Sequence, residues 1–284
     1  MQSSNPVFRR ADGFNGRSDA QDTPAYPGTQ TYSNPSQWST GVPGQVAPPV
    51  DQGRMTIDSV VQKTGLTLGV VVLFAAATWI ITPEVTGGSS MGTLYLFSTV
   101  GALGGFALAM VNSFKRVISP GLVLAYAAFE GVFVGAFSKV IENVFTQPGE
   151  SPGGLVIGAV IGTFAAVAGT LAAYKFFNIK VGTKFRMWVY GALLGFVAVS
   201  LLDFVLSIFG ADFGFNGFGA MGLVSSLIGL GLGVLMLILD FDFVERGIEA
   251  GLPDHESWRA AFGLTVTIVW IYIELLRLLA IFRN

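Results

Sequence analysis

Seven stretches of this chain are apolar on nearly every side, at roughly 62–82, 91–113, 119–143, 153–177, 186–210, 218–243 and 259–282. Each is long enough to cross a hydrocarbon core of about 30 Å, which takes about 20 residues of helix. The helices of a soluble bundle alternate apolar and polar faces, and these runs do not. Apolar residues make up 52% of the chain and the mean hydropathy is +0.62, well above an ordinary soluble domain. The expected fold class is therefore all-α: a seven-transmembrane helix bundle over residues 57–284, behind a disordered N-terminal tail.

The tail is a different kind of sequence. Residues 1–56 include "QDTPAYPGTQTYSNPSQWSTGVPGQVAPPVDQG", rich in Pro, Gly, Ser, Thr and Gln. Such a segment buries too little apolar surface to offset its ordering entropy, so disorder is expected, with lasting structure from near Met55. Tyr26, Tyr32 and Trp38 are candidate docking points within it, although a plain solvated tail explains them as well. No charged region leads directly into an apolar stretch at the N-terminus, so no cleavable signal is expected. The first membrane segment is then expected to act as the targeting signal.

Composition excludes several classes. With no cysteine there is no disulfide or thiolate metal site, and the lone histidine, His255, cannot anchor a metal by itself. A net charge of −2 argues against a nucleic-acid partner. The chain has no His-Glu-x-x-His site or phosphate loop, so the expectation is a protein that is not an enzyme and carries no cofactor. The run "GLGLG" (229–233) lies inside an apolar helix, without the strand that a nucleotide site requires. Asp203 and Asp240 sit near opposite ends of their segments, unlike the facing pair of an intramembrane aspartyl protease. The last segment also lacks the lysine of a retinal protein.

Basic residues set the expected orientation. Arg9, Arg10, Arg17, Arg54, Lys63, Lys115, Arg116, Lys175, Lys180, Lys184, Arg186, Arg246 and Arg259 fall on one side, thirteen of the sixteen in the chain. The connections "TPEVTGGSSM", "TQPGESPGG" and "GADFGFNGF" contain none. The tail is expected in the cytoplasm and, after seven crossings, the C-terminus outside. Missing cysteines and short loops suggest a bacterial plasma membrane.

Small residues recur at four-residue spacing: Gly101, Gly105 and Ala109; Gly158, Gly162 and Ala166; Ser225, Gly229 and Gly233. Stripes of this kind let helix backbones approach closely inside lipid. The third stripe continues to Asp240, which is therefore expected to face protein.

Ionisable residues at membrane depth are costly and point to function. The candidates are Glu130, Asp203, Asp240, Asp242, and Glu274 with Arg277. Glu274 and Arg277 are spaced to pair on one helix face, which would neutralise both. Asp203 reads as a residue wetted near the outer end of its helix, and Asp242 as a surface residue at a helix end. Glu130, in "AYAAFEGVFVGAF", has apolar residues on both sides. Buried carboxylates bind hard cations through oxygen and take up protons more readily than exposed ones. The two ligands compete, so one cluster can make cation passage depend on pH. Lys115 and Arg116 lie on the same side as Asp240 and are placed to lock it electrostatically.

The order of the seven segments, "KRVISPGLVLAYAAFEGVFVG" into the third, "LMLILDFDFVERGIEAG" ending the sixth and "LTVTIVWIYIELLRLLAIF" in the last together resemble the Bax inhibitor-1 (TMBIM or YccA/YetJ-like) family over residues 58–284. The resemblance implies a pH-sensitive calcium leak, with Ca2+ as permeant ion. It also implies an aspartate on each of the last two helices and an arginine that engages them when closed. Asp240 matches the first aspartate and Arg116 the arginine. Some bacterial relatives are linked to a membrane-bound AAA protease, which makes the tail a candidate handle for such a partner.

This chain departs from the family at the second aspartate. One alignment puts Glu274 there, and another puts Thr267. If the last turn centres near Leu252, the antiparallel neighbour of Asp240 lies near residue 264, close to Thr267. Glu274 would be roughly 15 Å deeper at about 1.5 Å per residue. That arithmetic favours Thr267, with Asp242 and Glu274 as possible substitutes in a rearranged cluster, and the partner of Asp240 stays open among the three.

Overall fold

A computed structural model describes residues 53–82, 88–146, 153–177, 179 and 181–283. Seven helices follow in chain order: α1 Ile57–Ile81, α2 Gly88–Phe114, α3 Pro120–Phe145, α4 Gly154–Phe176, α5 Thr183–Ile208, α6 Ala220–Glu249 and α7 Glu256–Arg283. All seven are long and apolar enough to cross a membrane. The chain is thus an all-α integral membrane protein, with no strand among the described residues beyond a single bridge between Arg54 and Pro253. The tail expectation, including Tyr26, Tyr32 and Trp38, lies outside the described residues up to residue 52.

Helix ends follow polar chemistry that hydropathy does not register. α1 starts five residues before the apolar run because Thr56 and Ser59 form a reciprocal capping box. Met55, just before it, is buried with 2% exposure. α6 runs six residues past its apolar stretch, to Glu249. It ends where Gly251 takes φ 64°. There the Leu252 N–H returns to the Gly247 carbonyl and the Gly251 N–H to the Ile248 carbonyl, both at 3.0 Å. This is the Schellman arrangement, in which glycine takes the left-handed position at no side-chain cost.

α7 is the central post. Its long face of buried residues packs against α1, α3, α4 and α6, whereas α2 packs on α3 and α5 on α6. Val71 of α1, Ala127 and Val134 of α3, Ala159 of α4 and Val269, Tyr272 and Leu276 of α7 belong to one buried apolar cluster. The small-residue stripes lie at the crossings. A Cβ at Gly101 would stand 2.5 Å from the Phe133 backbone nitrogen. Gly158 and Gly162 face Leu279 and Leu275, while Gly229 and Gly233 face Glu274 and Ile271. Gly131 brings α3 onto α1, since a Cβ there would lie 2.5 Å from the Val71 carbonyl oxygen.

Three connections meet at one end of the bundle. Met55 N–H donates to the Leu252 carbonyl at 2.7 Å. Arg259 donates to the Arg116 carbonyl at 3.0 Å, and Arg246 to the Val181 carbonyl at 2.7 Å. This end, where α1, α3, α5 and α7 begin, is called the basic end below.

Candidate functional site

Most membrane-depth carboxylates in this bundle are met by a partner of matching chemistry. Asp242 is one. It is 5% exposed, accepts from Arg246 at 3.0 Å and from Arg186, and so lies inside an arginine clamp rather than on the surface. The sequence reading of Asp242 as a surface residue fails because α6 keeps its helical course for two further turns, turning this side chain toward α5. Asp203 differs from expectation in the same way. It is 2% exposed rather than open at the helix end, because its two oxygens accept the Phe213 and Asn216 N–H groups at 2.9 and 2.8 Å. It thereby caps the connection between α5 and α6. Glu274 and Arg277 pair at 3.1 Å, both buried. Arg277 also donates to the Phe215 and Gly217 carbonyls at 3.2 and 3.3 Å.

Two further charges were missing from the sequence analysis, because they sit in the last turns of the third segment and passed as its end. Lys139, 6% exposed, donates to the Trp79 and Thr82 carbonyls at 2.8 and 2.6 Å, where α1 ends. Glu142, 4% exposed, accepts the Gly153 and Val156 N–H groups at 2.8 and 3.2 Å, where α4 begins. A cation at a helix C-terminus and an anion at an N-terminus both suit the helix dipole. The available signal was two opposite charges three residues apart at the end of an apolar run.

Two membrane-depth carboxylates have neither a cation nor a backbone N–H as partner among the described residues. Asp240, half-buried on α6, accepts the Thr267 hydroxyl of α7 at 2.6 Å. Its other oxygen lies 3.5 Å from where a Cβ at Gly263 would stand, so it faces α7. Glu130, half-buried on α3, has the Tyr126 hydroxyl as its polar neighbour one turn earlier. Its Oε2 lies 2.9 Å from the Cβ position of Gly105 on α2, a helix with no charged residue along its length. Among the described residues neither carboxylate forms an ion pair. Tyr126 packs edge-on against Phe262 of α7 at 5.0 Å. Glu130 and Asp240 therefore occupy similar depths, on different sides of α7.

The remaining candidates stand apart. Glu274 touches the face of Gly229, eleven residues before Asp240 on α6 and so roughly 16 Å away along it. The structure thus brings Thr267, and not Glu274, to Asp240. Arg116 is exposed, and its backbone carbonyl accepts from Arg259. The arginines that engage an aspartate of α6 are Arg186 and Arg246, and they hold Asp242. Among the described residues no three His, Cys, Asp or Glu side chains gather where a metal could be held. Asp254, outside the spans, is bonded by Lys63 near the start of α1 at 2.7 Å, which holds its carboxyl below the usual carboxylate range.

These features define a class: a seven-span helical membrane protein whose interior charges are mostly met by ion pairs or by backbone groups, with two carboxylates, Asp240 and Glu130, met by neither among the described residues. The chain belongs to the Bax inhibitor-1 family, since the family profile described as "Bax inhibitor 1 like" matches residues 5–284. It is also similar to an uncharacterized protein of Chlamydia muridarum (strain MoPn / Nigg), at 25% identity over 197 residues, covering 67% of this chain and 76% of that protein.

Proposed function

We propose that this protein is a non-enzymatic, pH-sensitive cation leak, with calcium among its permeant ions, and that Asp240 is the group for which cations and protons compete. The carrying observation is Asp240 itself, a half-buried carboxylate bonded by Thr267 and offset by no cation, while Asp242, Glu274, Asp203 and Glu142 all have strong partners. A lone carboxylate inside a membrane protein favours whatever positive species reaches it. A hard cation prefers oxygen ligands, which the Asp240 carboxylate and the Thr267 hydroxyl supply together. Glu130 is the second such group. In this reading the clamp of Arg186 and Arg246 on Asp242 takes the restraining part expected of Arg116. The basic end faces the cytoplasm of a bacterial cell, by the excess of Lys and Arg there.

The test is calcium flux into proteoliposomes from mildly acidic to mildly alkaline pH, for the native protein and Asp240→Asn. The reading expects a pH-dependent flux that the substitution abolishes or makes insensitive to pH. Unchanged flux and pH response in Asp240→Asn would refute it.

A regulatory reading, with residues 1–52 as a handle for a membrane-bound AAA protease, draws on a different observation. The chain emerging from that segment is pinned to the turn between α6 and α7 by the Met55 bond to Leu252 and by the Asp254 N–H, which donates to the Gly53 carbonyl at 2.6 Å. Deleting residues 1–52 separates the two readings. Altered turnover with intact flux favours regulation, and intact turnover with intact flux counts against it.

A further inference from the structure

A cleft of about 870 Å3 lies between α2 and α5, in the half of the bundle away from the basic end. Its mouth carries Asp203, Asp212 and Asn216, with Ser200 one turn further in, and its deep end carries Phe196 and Trp270. Among the described residues no Lys or Arg lines it. Arg277, which bonds the carbonyl of the lining residue Gly217, is also tied to Glu274 and to the Phe215 carbonyl. Phe196 and Trp270 stand together, with ring centroids 5.8 Å apart. The indole Nε1 of Trp270 is buried and has no hydrogen-bond partner. Trp270 comes three residues after Thr267 on α7, a rise of about 4.5 Å along the helix. The aromatic pair therefore stands between the cleft and the hydroxyl that bonds Asp240.

We propose that this cleft is a water-filled vestibule for cations, and that the Trp270 ring is its floor, separating it from the Asp240–Thr267 pair. Asp203, Asn216 and Ser200 are already bonded to one another or to the backbone. A lipid chain, however, would offer nothing to the indole N–H or to the exposed Asp212 carboxylate, and polar groups left unmatched in an apolar medium are costly. Water serves both, and a cleft lined by one sign of charge concentrates ions of the other sign. The use of the vestibule rests on the leak reading, while its wetness and charge do not.

The chain contains no cysteine, so single cysteines report without background. Ser200→Cys and Val197→Cys place thiols inside the cleft, and Leu202→Cys places one on the lipid-facing side of α5, where Leu202 is 53% exposed. In nanodiscs, methanethiosulfonates bearing a permanent positive or negative charge are compared. The cleft thiols are expected to react, with the cationic reagent favoured roughly tenfold, the low end of what a single-sign cleft gives. Asp212→Asn is expected to reduce that preference, and Leu202→Cys to stay unreactive. Cleft thiols as inert as Leu202→Cys would mean lipid fills the space, and equal rates for the two reagents would remove the charge selectivity. Either result overturns the proposal.

Calcium flux then tests the floor. Trp270→Ala is expected to raise flux severalfold, with Asp240→Asn abolishing it in both backgrounds. Equal flux with and without the ring refutes the floor. Reactive, charge-selective cleft thiols in a protein with no flux support the vestibule and overturn the leak reading. Inert thiols with Asp240-dependent flux overturn the vestibule alone.

Discussion

Glu142→Gln is a sharp test of the way this bundle handles charge. The carboxylate is 4% exposed and accepts three donors: the Thr146 hydroxyl at 3.0 Å and the Gly153 and Val156 N–H groups at 2.8 and 3.2 Å. Glutamine keeps one acceptor oxygen and adds an amide that only donates. If the oxygen stays on Thr146 and Gly153, the amide points at the Val156 N–H and leaves it unpaired. An unsatisfied buried donor costs about 1–3 kcal/mol, and removing the anion from the N-terminus of α4 adds about 0.3–1 kcal/mol. Hydrogen bonds between membrane helices average only about 0.6 kcal/mol because the unfolded chain also finds partners, which pulls the sum down. The expected loss is about 2 kcal/mol, roughly thirtyfold in the unfolding equilibrium. Reversible unfolding in mixed micelles, followed by tryptophan fluorescence, measures it. The control is Glu245→Gln, which keeps an acceptor for the Tyr174 hydroxyl at an exposed site and should shift stability by under about 0.5 kcal/mol. If the two substitutions behave alike, Glu142 does not hold the start of α4 through its charge.

Thr267→Val and Asp240→Asn should be strongly non-additive in calcium flux, since the two side chains form one unit at 2.6 Å; additive effects would separate them. Gly131→Ala drives a Cβ to 2.5 Å from the Val71 carbonyl oxygen and should cost about 1–3 kcal/mol. Gly69→Ala has nothing within 4 Å and should be neutral or stabilising by up to about 1 kcal/mol, and unfolding of both variants checks the contrast. The Asp254 carboxyl is held low by Lys63, so its contribution is present above the usual carboxylate range and is lost as pH falls through its lowered value. Protection of the Met55 and Asp254 amides from hydrogen exchange, corrected for intrinsic rates, should therefore persist down to about pH 4 and fail only below it. Lys63→Met should weaken that protection by under about 1 kcal/mol, because Asp254 is 41% exposed and its ion pair is screened.

The seven spans were legible in the sequence because lipid imposes one simple requirement, an unbroken apolar run, and hydropathy registers it directly. Helix ends were less so. The start of α1 depends on Thr56 and Ser59, and the last turns of α6 on polar residues whose partners lie elsewhere in the chain. The charges divide along the same line. Glu274 and Arg277 share a helix, so their pairing follows from spacing, and the antiparallel register of two neighbouring helices was enough to set Thr267 near Asp240. Arg186 is 56 residues from Asp242, and Lys139 is 57 from Thr82. No local pattern marks such partners. Asp203, Lys139 and Glu142 act on the backbone ends of other segments, which no side-chain motif announces.

The central position of α7 bears on how the chain is made. The helix against which α1, α3, α4 and α6 all pack follows the other six in synthesis. Until it leaves the ribosome, the faces of Ser225, Gly229 and Gly233, of Gly158 and Gly162, and of Tyr126 and Ser138 have no neighbour to close upon. The close crossings of α1, α2 and α3 can form before it arrives, but the seat between them and α4 and α6 stays unfilled, and insertion of α7 is the event that closes the bundle.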